Sequence, residues 1–79
     1  MQITIRELNG KTHLIDVTGS DTIATLKKKI HDKTGLSTEE QKLVFAGEAL
    51  SDDKTLEESD IVPDCTVYMV AVLKGGRWL

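Results

Sequence analysis

Asp21-Thr22-Ile23-Ala24-Thr25-Leu26-Lys27-Lys28-Lys29-Ile30-His31-Asp32-Lys33-Thr34-Gly35 is the stretch of this chain that reads as a helix. Ile23, Leu26 and Ile30 recur at i, i+3 and i+7, so they share one face. Asp21 or Thr22 can accept from the free N–H groups of the first turn and serve as N-cap. Lys27, Lys28, Lys29 and Lys33 lie toward the end where the helix dipole favours cations. Gly35 stands where a left-handed residue closes a helix. The spacing predicts one helix, about Ile23 to Thr34, whose narrow apolar stripe needs a surface to cover it.

The flanking segments supply that surface. On the N-terminal side, Met1-Gln2-Ile3-Thr4-Ile5-Arg6 alternates apolar and polar with the period of a half-buried strand. Leu8-Asn9-Gly10 follows, and Asn-Gly is a strong hairpin signal because both residues tolerate positive φ. A second strand runs from Thr12 to Val17, with Ile15 and Val17 facing inward and His13 on the same face. On the C-terminal side, Gln41-Lys42-Leu43-Val44-Phe45 reads as a strand, Ala46-Gly47 as a turn and Glu48-Ala49-Leu50 as a very short strand. Ser51 to Asp60 is an acidic loop in which Thr55-Leu56-Glu57-Glu58 forms a helical turn under Leu56, and Ile61 is placed in the core. Thr66 to Leu73 is the run richest in β-formers. One helix and about five strands make an α+β domain with the helix on one face of the sheet.

A chain of 79 residues is one domain. It buries only ~60–65% of its unfolded surface, which leaves little room for a deep catalytic pocket. A formal charge of −3 and a pI near 5.2 argue against nucleic acid as the main partner. The single cysteine, Cys65, cannot form an internal disulfide. With no signal-peptide pattern and no long apolar run, membranes are not expected as partners and a cytoplasmic and nuclear location is. His13, His31 and Cys65 share no metal-ligand spacing, so no metal site and no cofactor is expected. Leu43, Met69 and Ala71 point inward by alternation, which sends Val44 and Val70 to the opposite face. Leu8 joins them from the first turn, with Tyr68 and Val72 at the margin and Lys42 and Arg6 on the rim. Clustered exposed aliphatics on one sheet face read as a binding patch.

Met1-Gln2-Ile3, Leu8-x-Gly10-Lys11-Thr12, Ser20-Asp21-Thr22-Ile23, Asp32-Lys33-x-Gly35, Gln41-x-Leu43-x-Phe45-Ala46-Gly47, Thr55-Leu56 and Leu73-x-Gly75-Gly76 together resemble the ubiquitin family. The match runs from Met1 to Gly76 without a gap. The resemblance implies the β-grasp fold, a mixed sheet wrapped on one helix with the first and last strands paired in parallel at its centre. It implies a domain over residues 1–72, a flexible conjugation tail over 73–76 and a propeptide over 77–79. It also implies a tag and not an enzyme. A processing protease cuts between Gly76 and Arg77, an activating enzyme uses ATP to adenylate the new carboxylate, and conjugating and ligase enzymes pass it to a substrate lysine as an isopeptide. Gly75 and Gly76 are then the conjugation residues. Leu8, Lys42, Val44, Tyr68, Val70, Val72, Leu73 and Lys74 are the partner-binding set for receptors and enzymes. Lys11, Lys29 and Lys33 are candidate acceptors of a further tag, while Lys27 is expected to pair with Asp52.

Three positions depart from the ubiquitin branch. Glu48 and Pro63 replace lysines used there for chains, and Val72 replaces an arginine. A small apolar residue at position 72 resembles the neddylation (Nedd/Rub-type) branch, whose substrates are cullins. The reading is a neddylation-type modifier, with a divergent ubiquitin or an unconjugated ubiquitin-like binding domain as the alternatives. The Gly75-Gly76 pair separates the first two from the third, which would keep the patch and have no use for the diglycine.

Overall fold

Thr22, not Asp21, caps the helix. In the computed structural model, which describes residues 1–73 and 77–78 and side chains as far as Ala71, Thr22 Oγ1 accepts from Thr25 N–H at 3.2 Å. The two preceding amides are met by another segment. Ile23 N–H and Ala24 N–H donate to the carbonyls of Lys54 and Asp52 in the acidic loop. The helix start therefore has partners for donors that the helix itself leaves open. Helix α1 spans Ile23–Thr34 and buries Ile23, Leu26 and Ile30. It closes on Gly35 at φ 80°, whose N–H donates to His31 O.

Asp21 takes a different role. Its carboxylate accepts from Thr18 N–H and from Lys29 Nζ, both at 3.0 Å. The Thr18 amide, with Lys29 adding to it, holds the Asp21 carboxyl below its ordinary value of 3.8. The charged form is favoured by folding, so its contribution is complete above that ordinary value and is lost as pH falls through the lower folded one. The Thr55 amide does the same for Glu58. Urea midpoints compared at about pH 6 and about pH 3 should show a loss in acid that Asp21→Asn makes smaller. Equal losses in parent and variant would remove Asp21 from this account.

The strands are β1 (Gln2–Glu7), β2 (Thr12–Asp16), β3 (Gln41–Phe45), β4 (Glu48–Ala49), β5 (Thr66–Leu73) and β6 (Arg77–Trp78). The main sheet has the order β2-β1-β5-β3-β4. β1 and β5 are parallel neighbours at its centre, with Ile5 beside Val67, and the other pairs are antiparallel. This is the mixed β-grasp sheet on one helix that the resemblance implied. β6 pairs with the end of β5, Val72 beside Trp78 and Leu73 beside Arg77. Lys74, Gly75, Gly76 and Leu79 lie outside the described residues, and with them most of the expected tail.

The inner sheet face and α1 enclose the core. Ile3, Ile5, Ile15, Val17, Leu43, Val67 and Met69 meet the helix stripe, and Leu56 and Ile61 close one end. Removing a buried Leu side chain from such a core costs about 2–5 kcal/mol. Leu43→Ala should therefore destabilise strongly, whereas its half-buried neighbour Val44 should tolerate alanine with about 1 kcal/mol or less lost. Denaturant unfolding of the two variants tests the strand register directly.

Several features were not read from the sequence. Thr38–Glu40 forms a 3-10 turn before β3. Gln41, polar and at the strand start, is 4% exposed. Its Nε2 donates to Lys27 O at 2.9 Å and Leu36 O at 3.0 Å, tying α1 to the segment after it. The acidic loop does hold a helical turn at Thr55, and a capping box fixes it: Thr55 N–H donates to Glu58 Oε1 and Glu58 N–H to Thr55 Oγ1. The Lys27–Asp52 pair, by contrast, was expected, and it forms with Lys27 Nζ 2.7 Å from Asp52 Oδ1 and the lysine side chain 12% exposed.

Candidate functional site: the outer face of the central strands

The register assembles the outer face residue by residue. Val44 stands opposite Tyr68 and Lys42 opposite Val70 across β3 and β5. On the other flank of β5, Arg6 stands beside Tyr68. Tyr68, 48% exposed, thus sits between Arg6 and Val44 within the row. Leu8 is 70% exposed on the β1–β2 turn. That turn is held by Glu7 N–H donating to Lys11 O, Gly10 N–H to Glu7 O and Lys11 N–H to Asn9 Oδ1. Gly10 adopts φ 89°, which a side chain would strain. Leu8 shares a recess of about 200 Å³ with Glu7, Asn9, Met69 and Ala71, the last two alternating with Tyr68 and Val70 along β5. Exposed Tyr68 with half-buried Val44 and Val70, flanked in the same rows by Arg6 and Lys42, is a mixture of apolar and cationic surface suited to contact with another protein.

β5 ties this surface to the chain's end. Tyr68 and Val70 lie on it, and the same strand continues through Val72 to Leu73. Of the expected set, Lys42, Val44, Tyr68 and Val70 occupy paired positions of β3 and β5, Leu8 lies on the β1–β2 turn, and Val72 and Leu73 follow on β5. Lys74, Gly75 and Gly76 are outside the described residues. The three candidate acceptor lysines are not alike. Lys11 is exposed, but the amines of Lys29 and Lys33 are engaged. Lys29 donates to Asp16 O at 2.9 Å and Lys33 to Leu14 O at 2.7 Å.

No group of three His, Cys, Asp or Glu among the described residues is placed to hold a metal ion. His13 Nε2 and Glu7 Oε2 share a hydrogen bond of 2.6 Å across the first hairpin. Cys65 is half-buried, and its Sγ accepts from Val62 N–H at 3.3 Å. Both arrangements serve loop and strand ends. The His13–Glu7 pair was not foreseen, although both residues could be placed on the strands that carry them.

A β-grasp sheet with apolar side chains on its outer face and a last long strand followed in sequence by Gly75-Gly76 is the pattern of small protein-binding domains used as tags or adaptors. The comparisons narrow it. The model of the ubiquitin family matches residues 3–74. Ubiquitin-like protein NEDD8 of Dictyostelium discoideum is 33% identical over 76 residues, covering 96% of this chain and 99% of that protein. NEDD8-like protein RUB3 of Arabidopsis thaliana is 30% identical over 76 residues, covering 96% and 97%. Ubiquitin-like protein 4A of Rattus norvegicus is 33% identical over 70 residues, which is 89% of this chain and 45% of that longer protein. The chain belongs to the ubiquitin family, and as a modifier-like member it is similar to the Nedd/Rub type.

Proposed function

We propose that this chain is a neddylation-type protein modifier, processed after Gly76, activated with ATP by a partner enzyme and attached by an isopeptide bond to substrate lysines, cullins among them. The observation that carries this reading is the Gly75-Gly76 pair that follows Leu73-Lys74 in the sequence, on a chain that aligns with nearly the full length of NEDD8-type relatives. An unhindered glycine carboxylate is the group such chemistry needs, because an enzyme channel can enclose it without a side chain to accommodate. The chain supplies the acyl group and the docking face, and its partner enzymes supply nucleophile, base and ATP site. ATP is thus bound by the activating enzyme and not here. Processing protease, conjugating enzyme, ligase and receptors would share the Leu8, Val44, Tyr68 and Val70 surface in turn, in the cytoplasm and nucleus. The test is mass spectrometry of lysine adducts in cells that express the chain with and without Gly76. Adducts that disappear on deletion of Gly76 support conjugation, and their absence in both would end it.

A second reading is favoured by one fact. The likeness to ubiquitin-like protein 4A covers only part of that protein, as a docking domain would. In that case Val44→Ala would weaken receptor binding while deletion of Gly76 changed nothing. For the modifier, Val44→Ala should weaken binding by about fivefold or more while the fold survives.

A further inference from the structure

Asn9 is the only asparagine of the chain, and a glycine follows it. A carboxamide in that position lies within reach of a backbone nitrogen that no side chain of its own residue shields. Attack by this nitrogen is intramolecular, which removes the entropy cost of bringing the two groups together.

The fold leaves the pair open to water. Leu8, Asn9 and Gly10 are all exposed at the tip of the β1–β2 turn. A Cβ at Gly10 would meet nothing within 4 Å, so the space beside the glycine is empty. The Asn9 carboxamide is held in place, with Oδ1 accepting from Lys11 N–H at 2.9 Å. That donor polarises the carbonyl at Cγ and stands where negative charge collects on Oδ1 during attack. One bond opposes the reaction. Gly10 N–H donates to Glu7 O at 3.0 Å and must release it first. A single hydrogen bond at an exposed loop tip opens locally, without unfolding the sheet.

We propose that Asn9 is a self-modification site, where attack by the Gly10 nitrogen turns the asparagine into aspartate and isoaspartate and withdraws Leu8 from the outer face. Gly10 N gives up its proton and bonds to Asn9 Cγ. The Cγ–Nδ2 bond breaks, and the amide nitrogen leaves as ammonia, taking up that proton. Water then opens the five-membered imide. Cleavage of the new bond gives aspartate. Cleavage of the original peptide bond gives isoaspartate, whose main chain runs through Cγ and is one carbon longer. Solvent is the only co-reactant. Asn9 lines the same recess as Leu8, Met69 and Ala71, with Glu7 already on its rim. Either product sets a second carboxylate beside those apolar side chains, which disfavours an apolar occupant. Isoaspartate also lengthens the turn that the bonds from Gly10 to Glu7 and from Lys11 to residue 9 define. The effect on docking rests on the outer face being a partner-binding surface, whereas the chemistry does not.

The test is incubation of the folded full chain at neutral and at mildly alkaline pH, followed by intact mass and by fragmentation that separates aspartate from isoaspartate. The mass should rise by one unit, faster as hydroxide increases, with isoaspartate at residue 9 and no change at Gln2 or Gln41. Asn9→Gln, whose longer side chain must close a six-membered ring, should keep its mass over the same period. In the purified isoaspartate form, hydrogen exchange at Gly10 and Lys11 should be about fivefold faster, the effect of one lost hydrogen bond. Exchange at Ile3 and Ile5 should stay as it was, and the Leu8 methyl signals should shift. Asn9→Asp should keep the parent's exchange rates, because its carboxylate still accepts from Lys11 N–H. Conversion in guanidinium with none in the folded chain would show that the bond to Glu7 protects the site, and would overturn the proposal. So would aspartate without isoaspartate, the outcome of direct hydrolysis, or an isoaspartate form whose turn and Leu8 signals match the parent's. All of these are read on the isolated chain, so they stand apart from the adduct test on Gly76.

Discussion

Val72→Arg should raise thioester charging by a ubiquitin-activating enzyme roughly 5- to 150-fold and lower charging by a neddylation-type enzyme. Position 72 is on β5, just before the strand's last residue Leu73 and two positions after Val70, where an enzyme holding the outer face would also meet the exit strand. An enzyme that reads arginine there must present acceptors to a guanidinium. Val72 leaves those acceptors desolvated and unpaired, at a cost of about 1–3 kcal/mol. A neddylation-type enzyme must admit an apolar residue, and arginine would bring it a charge with no partner. The measurement is thioester formation by each enzyme on the 1–76 form and its Val72→Arg variant, resolved without reductant. Equal charging of both forms by both enzymes would remove position 72 from the specificity account.

The fold was legible because each element carries its own marker. Ile23, Leu26 and Ile30 give the helix face, Asn9-Gly10 the hairpin and Gly35 the helix end, and these are local effects that do not depend on the rest of the chain. Parallel pairing of β1 with β5 joins residues far apart in sequence, and no local pattern states it. It was reached through the resemblance alone. Asp21 and Thr22 could not be separated locally, because both can cap. The difference lies in Thr18 and Lys29, which occupy the Asp21 carboxylate and leave Thr22 for the helix. The patch at Val44 and Val70 followed from strand parity. The place of Tyr68 between Arg6 and Val44 needed the pairing of three strands. Lys29 and Lys33 read as helix lysines available to a further tag, and their bonds to the β2 carbonyls depend on how closely α1 passes the sheet edge. Leu14 did carry a signal, as an aliphatic at a polar position in an alternating strand.

A chain in which Gly76 is followed by Arg77 should form no thioester at all with its activating enzyme until the bond between them is cut. While that bond stands, Gly76 presents an amide, and adenylation needs a carboxylate. This is an all-or-none effect, larger than any contact can produce. The cut requires an extended substrate, and side chains at 75 and 76 would crowd a protease channel, so Gly76→Val should block processing even though the fold is untouched. β6 lies in the way, since Arg77 and Trp78 pair with Leu73 and Val72. That obstacle is small. A two-residue pairing offers few hydrogen bonds at about 1 kcal/mol net each, and an isolated two-stranded ribbon is marginal in water. A protease can peel it with a modest share of its binding energy. Trp78 is the only tryptophan, so cleavage after Gly76 transfers all tryptophan fluorescence to the released fragment and leaves Tyr68 with the domain. Incubation with a cell extract should show the loss of mass and of tryptophan signal together, and only the shortened product should then charge. Thioester formation by a chain that still contains Trp78 would show that Gly76 is not the reacting end.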